Sequence, residues 1–195
     1  KPSAGPSALF PWAGHLISRS GYDEKAHWSF FDIGPWGSGH QHNDKLHLSI
    51  VANGRDFLVD AGRFAYRGAI AEKFRRYATG SPGHNVLLID GRGQAPGPKL
   101  AEKALLSDCW KIEDEFDYAT GSFDKFTNLE GTCKHTRALM YVRGEYWIVV
   151  DRVETDRPRK VNALWHWHPD NLVGITRSKA VTTRNKSGNL AIIPV

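Results

Sequence analysis

The chain has 195 residues, a formal net charge of +5, 41% hydrophobic and 11% aromatic residues, nineteen glycines and two cysteines. That length is ample for one hydrophobic core and short for two, which excludes a pair of full domains, and all-β domains of this size are common. No membrane span or leader peptide is visible in the sequence. In chain order, the segment 1–10 opens with Lys-Pro-Ser-Ala-Gly-Pro and reads as a linker, leaving 11–195 as the domain. Short apolar runs with β-branched and aromatic residues then recur at Trp28–Phe31, Leu46–Val51, Phe57–Val59, Val86–Ile89, Ala138–Val142, Tyr146–Val150 and Val161–Trp167. Asn53-Gly54, Asp90-Gly91 and Arg143-Gly144-Glu145 are turn signals between them. One short helix is expected over Ile70–Tyr77, and no segment sustains helical apolar spacing over fifteen or more residues. The fold class is therefore all-β, an antiparallel β-sandwich with one short helix at most.

The chemistry concentrates in Gly39-His40-Gln41-His42-Asn43-Asp44-Lys45-Leu46-His47. His40, His42 and Asp44 share one parity, which in an extended segment puts three ligand-type side chains on one face, and Leu46, Leu48 and Ile50 continue that parity as an apolar row. Asp60 follows the apolar run Phe57-Leu58-Val59, and His84 precedes Val86–Ile89, so two more such residues stand at strand ends. Two imidazoles and a carboxylate are an ordinary zinc set with the fourth position left to water or substrate. Register sets a condition. A plain two-residue Asn53-Gly54 turn pairs Ile50 with Phe57 and puts Asp60 opposite His47, away from His42, so a bulge is required, either a glycine bulge at a three-residue Ala52–Gly54 loop or one between Asp44 and His47.

The order Gly-His-x-His-x-Asp, then Asn-Gly-Arg-Asp-Phe-Leu-Val-Asp-Ala-Gly, then Tyr66, then His84-Asn85-Val86-Leu87-Leu88-Ile89-Asp90-Gly91 resembles the C-terminal domain of the heparinase II/III-like polysaccharide lyases, from about Phe10 to about Pro169. The resemblance implies a supersandwich-like β-domain, a zinc site at His42, Asp60 and His84, and catalytic positions at His40 and Tyr66. It further implies β-elimination on uronic-acid-containing glycans such as heparan sulfate or alginate, with the proton-transferring tyrosine on an N-terminal helical domain that precedes this chain. On that reading 11–195 is a fragment, truncated at its C-terminus, inactive alone, and periplasmic or secreted. Its partners are an acidic polysaccharide and the helical domain, with no nucleic acid.

Arg63, Arg67, Arg75 and Arg76 cluster between the proposed ligands, and Arg63, Arg67 and Arg76 are candidates for holding the polyanion. The same cluster is equally readable as a solvated helix face. Cys109 and Cys133 are compatible with one disulfide or with two free thiols. His15, His27 and His135 read as surface groups, Asp44 as an acceptor orienting a ligating imidazole, and Trp165–His168 as sheet packing with polar partners for its histidines. Two further readings stay open: a non-haem iron triad of His42, Asp44 and His84 on an oxygenase-like β-fold, and a non-catalytic carbohydrate-binding sandwich.

Overall fold

The computed structural model describes residues 5–34, 40–97 and 101–195. A five-stranded antiparallel sheet runs in order β1 (Ala8–Phe10), β2 (His15–Arg19), β3 (Trp28–Asp32), β4 (Leu48–Ala52) and β5 (Arg55–Leu58). A helix, α1 (Ala69–Thr79), follows, then β6 (Leu87–Ile89). The second large sheet is built by β7 (Trp110–Ile112), β8 (Phe116–Phe123), β9 (Cys133–Val142) and β10 (Tyr146–Thr155), ordered β10-β9-β8-β7. Strand β11 (Val161–Ala163) pairs with β6, and β12 (Val173–Ile175), β13 (Val181–Thr183) and β14 (Ala191–Ile192) form a small terminal sheet.

The sandwich follows from strand parity. Leu16 on β2, Phe31 on β3, and Leu48 and Ile50 on β4 point inward and meet Ala119 of β8 and Leu139 of β9 in one buried cluster, with Trp147, Trp165 and Trp167 packed at its margin. Trp147 donates its indole N–H to Ser29 Oγ at 3.0 Å, so the two sheets are joined by a polar contact as well as by apolar burial. At Gly34 a Cβ would stand 1.8 Å from the Ala13 carbonyl oxygen, so the turn between β1 and β2 can pack against the end of β3 only with glycine there.

Several expectations change. Strand β1 begins at Ala8, inside the segment read as a linker. Residues 1–4 of that linker, and Gly39 of the histidine motif, lie outside the described residues. The Val161–Trp167 run divides: its first part pairs with β6, and Trp167 then bridges Leu58 on the free side of β5. Among the three histidines read as surface groups, His135 is fully buried and bonds Asp151 at 2.6 Å, because its inward parity on β9 outweighs its polarity once a carboxylate faces it. His27 is half-buried and stacks on Trp147 with ring centroids 4.9 Å apart, and His15 meets the edge of Phe30 at 4.9 Å. Cys109 and Cys133 are both free thiols.

The β4–β5 hairpin resolves the register condition. Asn53 and Gly54 both have positive φ, as a two-residue turn on a right-twisted hairpin demands, and Ala52 and Val51 face Arg55 and Asp56. The register then shifts, so that Ile50 faces Leu58. A bulge is present, but in β5 at Phe57 rather than in the turn or between Asp44 and His47. The extra residue carries Asp60 to the side where the histidines converge.

Candidate metal centre

Residues 40–47 do not form a strand. His40 and Leu46 have φ values of 42° and 75°, which breaks the alternation that would have set His40, His42 and Asp44 on one face. The segment is a tethered loop. The Leu46 amide donates to the Asp32 carbonyl at 2.6 Å, the Asn43 amide to the Thr79 carbonyl at 2.9 Å, and Ser81 Oγ to the Asn43 carbonyl at 2.6 Å. Gln94 Nε2 reaches the Lys45 carbonyl at 2.6 Å. The loop is therefore pinned to the end of β3, the end of α1 and the turn before β6, and its ligand-type side chains are presented by a fixed backbone.

His42, Asp44, Asp60 and His84 come together with one donor atom each, all within 4.8 Å of one another. All three sequence-expected ligands are in this group, and Asp44 lies close enough to offer a fourth donor. His84 is fully buried; its Nδ1 lies 2.8 Å from Asp60 Oδ2 and 3.9 Å from Asp44 Oδ2, while its Nε2 is buried without a hydrogen-bond partner. The rings of His42 and His84 are 5.1 Å apart. Burial works against the Asp60 carboxylate, but the hydrogen bond and charge of His84 overcome it and hold the group at about 2. Asp44 is shifted the other way, upward, by burial. Burial also lowers His42, which favours the neutral imidazole that a metal needs. Nitrogen and oxygen donors of this kind, two imidazoles and two carboxylates close enough to shut around one ion, fit zinc.

His47 closes the histidine motif, and its surroundings give it a structural role. It is buried; the Asn85 amide donates to its Nδ1 at 3.0 Å, so Nε2 carries the proton and donates to Ser49 Oγ at 2.8 Å. Burial pushes this imidazole down to about 3. Asn85, which follows His84, is the hub of the site: its Nδ2 donates to the carbonyls of Leu48 at 2.8 Å and Val59 at 3.3 Å, and its Oδ1 accepts the His166 amide at 2.6 Å. Tyr77 Oη reaches His166 Nε2 at 3.1 Å. The signal for Asn85 in the sequence was only its place beside His84.

His40 stands apart from the metal-type group and pairs with Tyr66, Nδ1 to Oη 3.0 Å. The Arg63 guanidinium lies 5.0 Å from the Tyr66 ring centroid, and its Nε is buried without a hydrogen-bond partner. Arg67 and Arg76 are exposed on the loop and on α1, whereas Arg75 donates twice to the Ala65 carbonyl, at 3.0 and 2.6 Å, and so ties the Tyr66 loop to the helix. Beside His40 and His42 opens a cavity of about 320 Å³, walled also by Trp12, His15, Phe30 and Asp32. Burial, reinforced by the charge of Asp44, pushes the Asp32 carboxyl well above the usual range, so this wall repels an anion less than its composition suggests.

A heparin-sulfate lyase of Pedobacter heparinus is 25% identical over 183 residues, which are 92% of this chain and 26% of that protein. The crystal structure of heparan sulfate lyase HepC from the same organism superposes with a TM-score of 0.78 at 22% identity, over 98% of this chain and 29% of that one. Heparinase III, the BT4657 gene product with methylated lysines, superposes at 0.77 with 20% identity, over 93% and 27%. The chain thus spans between a quarter and a third of the length of each of these relatives, and at such identities the superpositions speak to the fold. The pattern of the family described as heparinase II/III-like, C-terminal, matches residues 2–194, and the chain belongs to that family.

Proposed function

We propose that this domain is the metal-holding side of the cleft of a polysaccharide lyase that cleaves uronic-acid-containing glycans by β-elimination. The observation that carries the reading is the adjacency, along one tethered loop, of His40, hydrogen-bonded to Tyr66, and of His42 and Asp44, which meet Asp60 and His84 in the four-donor group. β-Elimination removes the proton α to the uronate carboxylate and expels the glycosidic oxygen, so the site must neutralise the carboxylate, accept one proton and deliver another. Arg63 supports the first task, with a buried and unpartnered Nε beside Tyr66. Arg67 and Arg76 add exposed positive charge along the approach. His40, which lines the cavity, shares a hydrogen bond with Tyr66, and the pair is suited to hold or move a proton at His40 Nδ1 and Tyr66 Oη.

Zinc would be held by His42, Asp60 and His84, with Asp44 beside them, and when bound it would supply positive charge and cross-link the 40–47 loop to the ends of β5 and β6. The remaining proton transfer is assigned to a tyrosine on a helical domain that would adjoin this one. An acidic extracellular glycan as substrate places the protein in the periplasm or outside the cell. Among the described residues no helix is long and apolar enough to cross a membrane. The lyase reading is favoured over the iron-oxygenase and carbohydrate-binding alternatives by the family match, and over the iron triad further by the presence of Asp60 in the donor group.

The test follows the ultraviolet absorbance of the unsaturated uronate product, with heparan sulfate, alginate and hyaluronan offered in turn. The 195-residue chain is compared with a longer polypeptide in which it is joined to a helical domain. Product from the longer polypeptide, strongly reduced by His40→Ala, is the expected result. Comparable turnover by the 195-residue chain would end the two-part mechanism, and no turnover of any uronate glycan by the longer form would end the lyase reading.

A further inference from the structure

The largest fully buried side chain described is Arg137, on β9. Its parity explains its position: Cys133, His135, Arg137, Leu139 and Tyr141 alternate inward along the strand, so the guanidinium enters the space between the sheets. A buried guanidinium is costly unless all its donors are met. Nε and Nη2 donate to the two oxygens of Asp151 at 2.7 and 3.0 Å, a bidentate pair across β9 and β10, and the cation lies 5.1 Å from the Trp165 ring centroid. The far nitrogen, Nη1, makes two bonds of another kind. It donates to the Leu46 carbonyl at 2.8 Å and to the Asn85 carbonyl at 2.6 Å.

Those two carbonyls are the point. Leu46 lies two residues after Asp44 in a left-handed backbone conformation, and Asn85 directly follows His84. One nitrogen thus joins the segment that delivers His42 and Asp44 to the segment that delivers His84, and does so from the second sheet, which contributes no donor to the group. Asp151, held at about 2 because the hydrogen bonds of His135 and Arg137 overcome its burial, stays ionised and keeps the guanidinium turned toward those carbonyls.

We infer that Arg137, oriented by Asp151, is a positioning residue that holds the His84 and Asp44 segments at the spacing needed to bind a divalent metal. The inference rests on the metal reading of the His42, Asp44, Asp60 and His84 group. Outer partners that orient ligands typically change metal affinity by about 10- to 100-fold when removed.

Two variants separate positioning from folding. Arg137→Lys keeps one positive charge beside Asp151 but cannot reach both carbonyls and both carboxylate oxygens. The double variant Arg137→Met with Asp151→Asn removes both charges together, leaving no lone buried ion, and retains an oxygen to accept from His135. Zinc affinity of the 195-residue chain is measured by chelator competition, and the visible spectrum of the cobalt-loaded chain reports ligand geometry. Both variants should fold, bind zinc at least about tenfold more weakly than the wild type, and give an altered cobalt spectrum. Folded variants with wild-type affinity and spectrum overturn the inference. Failure of both variants to fold would reject it too, since Arg137 would then be a folding determinant with no separable role. A wild-type chain that binds no metal removes the reading beneath it, a result distinguishable because it needs no variant.

Discussion

His47 offers a sharp test of the site's internal wiring. Its Nδ1 receives the Asn85 amide and its Nε2–H is given to Ser49, so a second proton would have to displace an N–H donor inside a buried site. The imidazole therefore titrates at about 3 in the folded chain against 6.5 in the unfolded chain. Between those values only the unfolded chain takes up the proton, so this stabilisation is complete above the unfolded value and is lost progressively as pH falls toward the folded one. The slope is about 1.4 kcal/mol per pH unit, which makes about 3 kcal/mol between neutral pH and about pH 4.5, or a melting temperature roughly 6–12 °C lower for a chain of this size. Asp32 and Asp44, both shifted upward, act with the opposite sign, so the wild-type curve alone does not isolate His47. His47→Gln does, because its amide can accept from Asn85 and donate to Ser49 without titrating. Urea unfolding followed by tryptophan fluorescence, in chelator, should show the wild-type advantage over His47→Gln shrinking by about 3 kcal/mol from pH 7 to about pH 4.5. A difference that stays constant over that range would refute the assigned tautomer and burial.

His42→Ala and His84→Ala should lower the melting temperature of the zinc-supplemented chain more than His40→Ala, and should make it insensitive to chelator, because only the first two remove members of the donor group; equal chelator sensitivity of wild type and His42→Ala contradicts this. Gly34→Ala should destabilise by about 3 kcal/mol or more, since its Cβ would meet the Ala13 backbone at 1.8 Å, and a loss under about 1 kcal/mol in urea unfolding would mean the two segments are not in contact. Tyr66→Phe should leave zinc affinity unchanged within about threefold, its hydroxyl being bonded to His40 outside the donor group, and a larger loss would place Tyr66 among the metal's supports.

The core strands were legible because their apolar runs are long and their parity is clean: Leu48 and Ile50 point inward as alternation requires, and α1 is close to its expected span. What parity misjudged was the 40–47 segment, where His40 and Leu46 adopt positive φ and a loop tied by Asp32, Thr79 and Ser81 replaces a strand. The ligand-type residues were found all the same, since their identity depends on residue chemistry and order more than on local conformation. Register could be posed but not solved from sequence: the bulge at Phe57 depends on how β5 meets both β4 and the segment around Trp167. His135 and Arg137 were hidden for a different reason. Their inward parity with Leu139 and Tyr141 was there to read, but a buried charge is credible only once its partner is known, and Asp151 is supplied by the neighbouring strand. Asn85 likewise has no sequence signature as a hub, because its partners His47, Leu48, Val59, Arg137 and His166 come from segments far apart in the chain.

The most direct test of the metal centre is anomalous diffraction from crystals of the zinc-loaded chain, recorded at the zinc absorption edge. A single strong peak is predicted within about 2.0–2.2 Å of donor atoms of His42, Asp60 and His84. A crystal of protein carrying one equivalent of zinc with no peak among these side chains would contradict it.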